Sequence, residues 1–266
     1  MTEHQDTSRD DIPTKPEKLQ LKLLEKKSHI GTDIVSFKFG RRGEDNSQKQ
    51  SDQDHYLNYK AGQYAVVDLG TKEDPEGPIR SFTLASSPTE DFILISTRIR
   101  DTPFKKKLAS LEVGISVRIT APLGKFVLHD DHLKAAVLLS GGIGVTPFRS
   151  MIKYATDKQL SVKIILFDAN RNQDNILYKK EFDECANLNK NLKIVYTLDM
   201  PDKDWKGELG HINQIMVTKY LNTIEMDNSI FYICGPPGML NAMKGLLQDV
   251  LGISKERIKV EEFIGY

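Results

Sequence analysis

The chain predicts a β plus α/β architecture: a small antiparallel barrel, then a parallel sheet covered by helices. Three observations carry this. Between Leu19 and Ala121, apolar and polar residues alternate in short runs, the period of strands with one buried face. Beyond Leu133 the apolar runs become unbroken, at Ala135 to Leu139, Val162 to Phe167, Ile194 to Leu198 and Ser229 to Ile233, as suits strands buried on both faces. Each of these runs is followed by a helical pattern, the alternation that builds a parallel sheet.

A length of 266 residues accommodates two domains of about 100 to 150 residues each. The segment 1–18 is too polar to bury and reads as a disordered tail, with the barrel at 19–130 and the α/β domain at 131–266. The 37 basic and 37 acidic side chains cancel, so no global field favours nucleic acid or an anionic membrane. Cys185 and Cys234 are too few for a disulfide framework or for the thiolates of an iron–sulfur cluster, and no metal site is expected. Any redox chemistry therefore needs another cofactor. With no apolar signal-peptide core and no run of 18 apolar residues, the chain is expected to be soluble and cytoplasmic, without membrane insertion.

In chain order, Leu19, Leu21 and Leu23 alternate, and then Val35, Phe37 and Phe39 oppose Ile34, Ser36 and Lys38. Tyr64 to Leu69, Ser81 to Ala85, Phe92 to Arg100 and Ser116 to Ala121 complete about six short strands with tight connections, enough for a small barrel. Arg41 to Asn58 is nearly all polar and reads as a long exposed loop. After the first unbroken run, Phe148, Met151, Ile152 and Ala155 recur at i, i+3, i+4 and i+7, giving that helix one apolar face.

Three segments carry candidate chemistry. In Arg80-Ser81-Phe82-Thr83, strand alternation puts Arg80 and Phe82 on one side, Ser81 and Thr83 on the other. A guanidinium beside an aromatic face suits a ligand with phosphates and a flat ring, and the Thr83 hydroxyl could reach a ring-edge nitrogen. The tetrapeptide alone also fits an ordinary half-buried strand. Ser140-Gly141-Gly142-Ile143-Gly144-Val145-Thr146-Pro147 follows a buried strand and opens a helix, with Thr146 placed as N-cap and Pro147 as first helical residue. Its glycines let a diphosphate approach the backbone beside free helix N–H groups, although the spacing is not G-x-G-x-x-G and a bare structural turn fits as well. Cys234-Gly235-Pro236-Pro237-Gly238 marks the carboxyl end of another parallel strand, where ligands bind in open α/β sheets, which aims the Cys234 thiol at the crevice. A buried cysteine acting as a small hydrophobe is the alternative there, and the stronger reading for Cys185.

These segments, in this order and with Glu261-Glu262-Phe263 near the C-terminus, resemble the ferredoxin–NADP reductase superfamily over residues 18 to 266. The resemblance implies a Greek-key flavin-binding barrel followed by a Rossmann-like NAD(P)-binding domain. It implies Arg80 on the flavin phosphates, Phe82 against the isoalloxazine and Thr83 near its N5. Phe82 stands where the family usually carries Tyr, so the phenol's hydrogen bond is missing. Thr97, Arg98 and Ile99 match the strand touching the flavin's adenosine half, and Phe104 and Lys105 the helix start that caps its pyrophosphate. Gly142, Gly144 and Thr146 match the loop for the nicotinamide nucleotide's diphosphate, and Cys234 and Gly235, with Pro236 after them, the residues beside the nicotinamide. Glu261 and Phe263 fit a C-terminal Glu-x-aromatic, a proton relay and a ring shielding the flavin, with Tyr266 a rival for the shielding.

NADPH-using relatives place Ser and Arg just after the third parallel strand, where this chain has Asp199 and Met200. Tyr196-Thr197-Leu198-Asp199 looks instead like the NADH-using cytochrome b5 reductases, whose acid accepts a ribose hydroxyl. A carboxylate about 5 Å from a phosphate charge, at an effective dielectric near 20, is repelled by about 3 kcal/mol. The implied cofactors are FAD and NADH, with NADPH the alternative through Arg171. The implied reaction is hydride transfer from nicotinamide to flavin, with Thr83, Cys234 and Glu261 at the chemistry, then electron delivery to a protein acceptor such as a ferredoxin or cytochrome. Two rivals are an NADPH-dependent ferredoxin–NADP reductase and a non-catalytic flavin-binding subunit, the latter disfavoured by the missing cysteine cluster.

Overall fold

The computed structural model describes residues 15–41 and 57–262. Its first sheet consists of β1 (Glu17–Ser28), β2 (Ile34–Gly40), β3 (Tyr64–Asp68), β4 (Ile79–Thr83), β5 (Ile93–Arg98) and β6 (Ser116–Leu123), with helix α1 (Pro103–Ser110) between the last two. The order β4-β3-β6-β1-β2-β5 is antiparallel throughout. Just past β4, the Ala85 N–H donates to the Leu94 carbonyl of β5 at 2.8 Å, which draws the open edge together into a nearly closed barrel. Leu21, Leu23, Phe37, Phe39, Val67 and Ile95 fill the interior, the alternation expected of one-sided strands. β1 starts before the alternation does, because Glu17 and Lys18 pair with Ala121 and Thr120 of β6. Most of the polar segment 41–58 lies outside the described residues, as do Phe263 and Tyr266; Leu57, at its end, is buried in the barrel core rather than exposed.

The second sheet is built from β7 (Ala135–Gly141), α2 (Thr146–Asp157), β8 (Ile164–Asn170), α3 (Lys179–Leu188), β9 (Leu192–Leu198), β10 (Glu208–Leu209), α4 (Gln214–Tyr220), α5 (Thr223–Asp227), β11 (Ser229–Gly235), α6 (Pro237–Gly245) and β12 (Ile258–Glu262). Its order, β10-β9-β8-β7-β11-β12, is wholly parallel. Unbroken apolar runs are explained by cover on both faces: Ala136 and Leu138 pack on Phe148, Met151 and Phe182, while Val137 and Leu139 pack on Val217 and Leu247. The chain leaves β7 toward β10, then returns to add β11 on the other side of β7. The strand order therefore switches between β7 and β11, where open α/β sheets bind ligands.

Arg149 of α2 ties the two sheets together. It is buried, and its guanidinium donates to the Ala85 carbonyl at 2.7 Å, to Glu90 near the barrel and to Glu181 of α3. Its neighbour Ser150 donates to the Ser86 carbonyl at 2.6 Å. The helix thus buries a second, polar face that its apolar periodicity does not announce. Among the described residues no helix is long and apolar enough to cross a membrane.

Candidate cofactor and nucleotide site

A cavity of about 380 Å³ opens beside β4 and β5, walled by Arg80, Ser81, Phe82, Thr83, Thr97, Arg98, Lys105 and Glu261. The strands hold these side chains side by side, but the charges are already engaged. Arg80 Nη1 donates to the carbonyls of Glu76, Gly77 and Ile79, Nη2 to Asp74, and Nε faces the Glu76 carboxylate at 3.0 Å. Of five N–H groups, at most one remains for a ligand, which corrects the expectation of a guanidinium free to grip phosphates. Asp74 also accepts the Phe104 N–H at 2.8 Å, so a carboxylate already caps the start of α1, where a pyrophosphate was expected. Burial opposes the Asp74 charge, yet the N–H groups of Phe104 and Glu76 and the Arg80 guanidinium hold its carboxyl below the usual range. The Phe104 ring is fully buried, off the cavity, 6.0 Å from Phe82.

Lys105 is different. Its buried ammonium donates to the Thr97 hydroxyl and stands 4.7 Å from the Phe82 ring centroid. Burial first, then the Arg80 and Arg100 charges, lower its pKa to about 8. A desolvated cation resting on a neutral hydroxyl and an aromatic face fits an anionic ligand with a flat ring. Arg98 and Arg100 share Asp33, which immediately precedes the neighbouring strand β2, and the Ile99 N–H donates to the Asp33 carbonyl at 2.7 Å. Ile99 itself packs toward the barrel core and is not on the wall, contrary to expectation.

A second cavity of about 730 Å³ lies at the carboxyl ends of β7, β8 and β9, with Gly141, Gly142, Asn170, Arg171, Asp199, His211 and Pro236 on its wall. Gly142 has φ +55°, a left-handed conformation that favours glycine. Gly144 is required for another reason: a Cβ there would lie 2.3 Å from the Cys234 carbonyl oxygen. The turn consequently sits directly on the end of β11. Thr146 is not the N-cap. Residues Gly142–Val145 form a 3₁₀ turn, Thr146 is already helical, and its hydroxyl donates back to the Ile143 carbonyl at 3.1 Å. Cys234 also departs from expectation: its side chain is fully buried in the core and lines neither cavity. Burial, and then the Glu261 charge, push its thiol well above the ordinary range, so it is no thiolate. Gly235 likewise lies off the wall, under Met239. Asp199 stands 3.4 Å from His211 Nε2, a pairing twelve positions apart that no motif signals.

The cavities adjoin, because Arg98, Arg100 and Ile143 line both. Glu261 sits on the barrel side of this junction, opposite Cys234 in the parallel register of β11 and β12, and burial raises its carboxyl pKa to about 7. Arg80, Thr83, Glu261, Gly142 and Asp199 are thus brought to one joined cleft. Sequence reasoning missed Arg100, two residues beyond Arg98 and so on the same side of the chain, and Asn170, for which no local signal exists.

Residues 138–245 match the family model of the oxidoreductase NAD-binding domain. A NADH-cytochrome b5 reductase-like protein of Arabidopsis thaliana is 32% identical over 195 residues, covering 70% of this chain and 59% of the plant protein, so the chain spans less than two thirds of that relative. NADH-cytochrome b5 reductase 1 of Neosartorya fischeri is 27% identical over 250 residues, 91% of this chain and 77% of the fungal protein. The flavohem-like FAD/NAD binding domain of nitric oxide dioxygenase from Vibrio cholerae superposes with a TM-score of 0.75 at 21% identity, covering 92% of this chain and 98% of that one. With a nearly closed six-stranded barrel joined to a parallel sheet, the chain shares the fold of that FAD/NAD binding domain, and residues 138–245 match the oxidoreductase NAD-binding domain.

Proposed function

We propose that this protein is an FAD-dependent NADH oxidoreductase that passes electrons to a protein acceptor. The observation that carries this reading is the joined cleft, in which an aromatic, cation-walled barrel cavity meets a glycine-walled cavity at the sheet's switch point. In this reading Phe82, Thr83, Thr97 and Lys105 hold the flavin, with Lys105 rather than Arg80 as the principal cation toward its phosphates, and Arg80 stiffens the loop beneath. Gly142 and the start of the 3₁₀ turn leading into α2 receive the nicotinamide nucleotide's diphosphate, and Asp199 accepts from its ribose. A bound flavin would supply hydride acceptance and stepwise electron release. The chain's own part is to align the two ligands, to exclude water at the Ile143 junction, and to offer a proton site at the Glu261 carboxyl, half protonated near pH 7.

The names of the relatives support NADH and a cytochrome-type acceptor; ferredoxin is the other class that fits single-electron delivery. NADPH use draws support from Arg171, which lines the nucleotide cavity near Asp199. The test is to purify the protein, record its visible spectrum and add NADH and NADPH separately without oxygen. Expected are a bound flavin spectrum and faster bleaching by NADH. A colourless preparation that takes up no added FAD would overturn the reading.

A further inference from the structure

Asp168 and Asn170 sit two residues apart on the same side of β8, the Asp at 0% and the Asn at 6% exposure. The Asn170 amide donates Nδ2–H to Asp168 Oδ2 at 2.9 Å. The remaining oxygen of each side chain, Asp168 Oδ1 and Asn170 Oδ1, is buried without a partner. Two buried acceptors without a partner are costly, and neither side chain can bond the other's free oxygen while the carboxyl is ionised. One proton on Asp168 would satisfy both at once.

We propose that Asp168 is a neutral carboxylic acid closed into a two-bond ring with the Asn170 amide, amide N–H to acid carbonyl and acid O–H to amide carbonyl. It acts as a positioning residue for the nucleotide cavity. The surroundings agree. No Lys, Arg or His pairs with Asp168 among the described residues, and burial raises its pKa to about 7. Beside it in register are Ser140 of β7, whose buried hydroxyl with the Asn170 amide opposes that rise without cancelling it, and Tyr196 of β9, whose hydroxyl donates to Asp183 of α3 at 3.0 Å. The cations of the helices on this face are engaged elsewhere: Arg149 with Glu90 and Glu181, Lys153 with Asp157, Lys179 with Asp183. Cys234 and Glu261 continue the row two and three strands away.

The ring also reaches the ligand wall. The Asn170 carbonyl accepts the Asp199 N–H at 3.2 Å, so fixing Asn170 fixes the start of the turn that carries Asp199. Below about pH 7 the neutral acid moreover leaves no buried negative charge beneath a site read as receiving a diphosphate. This last consequence rests on the proposed nucleotide function; the ring itself does not.

The experiment compares thermal unfolding of the full-length protein and its Asp168→Asn variant from about pH 5 to 9. Between the unfolded pKa and about 7, the native state keeps a proton that the unfolded chain releases, so the wild type loses stability as pH rises through this window and levels off above it. The carboxamide introduced by Asp168→Asn would close the same ring with an N–H at every pH. The variant is therefore expected to lack that component of the decline and to melt higher than the wild type at pH 8. Equal slopes, a variant melting no higher at pH 8, or a variant that does not fold would each overturn the proposal. Infrared spectra of the wild type supply a measurement that needs no stable variant. A protonated-carboxyl band should be present at about pH 6, fade through 7 and persist in Glu261→Gln, and its absence would refute the ring. Neither readout uses a nucleotide, so failure here is distinct from failure of the oxidoreductase reading. The positioning role adds one arm: Asp168→Leu should raise KM for NADH more than it lowers kcat, with Asp168→Asn near wild type, and equal losses in both variants would sink that part.

Discussion

The barrel cavity is walled by side chains whose charges are mostly paired within the protein, whereas the sheet cavity sets a glycine turn and strand ends against apolar side chains such as Met239, Met243 and Leu246. Arg80, Arg98 and Arg100 are anchored on Asp74, Glu76 and Asp33 before any ligand arrives. On the sheet side, Gly141 and Gly142 line the wall beside the starts of α4 and α6, His211 stands largely in solvent and Asp199 is partly exposed. The contrast teaches what each half is suited to. Rigid, pre-paired side chains favour a ligand that stays, since little ordering remains to be done on binding. A wall with few paired charges and more apolar surface favours one that comes and goes.

The sharpest way to break this comparison is Gly144→Ala. A methyl 2.3 Å from the Cys234 carbonyl cannot be relieved by a side-chain rotation, so the turn or β11 must move. A loss of about 3 kcal/mol is expected, read as a lower melting temperature together with lost nucleotide response. An unchanged melting curve would show that the turn is not a packed backbone device.

Next comes the pre-paired barrel. Arg80→Ala should weaken flavin retention by about tenfold, the range of one charge-assisted hydrogen bond, through loosening of the loop it anchors. Asp74→Asn should also lose flavin, because it loosens Arg80 and the start of α1 together. The ratio of flavin to protein absorbance measures both, and full occupancy in Asp74→Asn would mean that Arg80 acts directly on the ligand.

A smaller effect is expected from exchanging Asp199 and Met200 for Ser and Arg. Asp199 is 42% exposed at its side chain, so screening reduces the full Coulomb estimate, and a shift on the order of tenfold toward NADPH is expected. Unaltered ratios of kcat/KM for the two nucleotides would place specificity elsewhere on the wall. Smallest is Cys234→Ala. With the thiol buried and off both walls, the variant should cost about 1 kcal/mol of stability and leave flavin content intact. A large fall in the rate of flavin reduction with unchanged stability would return Cys234 to the chemistry.

The distribution of legible features follows from range. Phe148, Met151, Ile152 and Ala155 announce one face of α2 because helical periodicity is local, and all four are buried as expected. Arg149 and Ser150 on the same helix give no sign of their role, since their partners at Ala85 and Ser86 lie 64 residues away. Thr146 reads as an N-cap, yet lies inside the helix, because a 3₁₀ segment ahead of α2 leaves no mark in residue type. The strand end at Cys234 is legible, but which way its side chain packs depends on what covers it.

Alternation, unbroken apolar runs and glycine placement are properties of the chain, and they determined the two sheets, their order and the turn between β7 and α2. Which polar atoms remain free was decided only in the folded molecule. Asp74 takes Arg80, Asp33 takes Arg98, and Asp168 is left facing Asn170 with no cation, because hydrogen-bond satisfaction is settled among groups that folding alone brings within about 3 Å of one another.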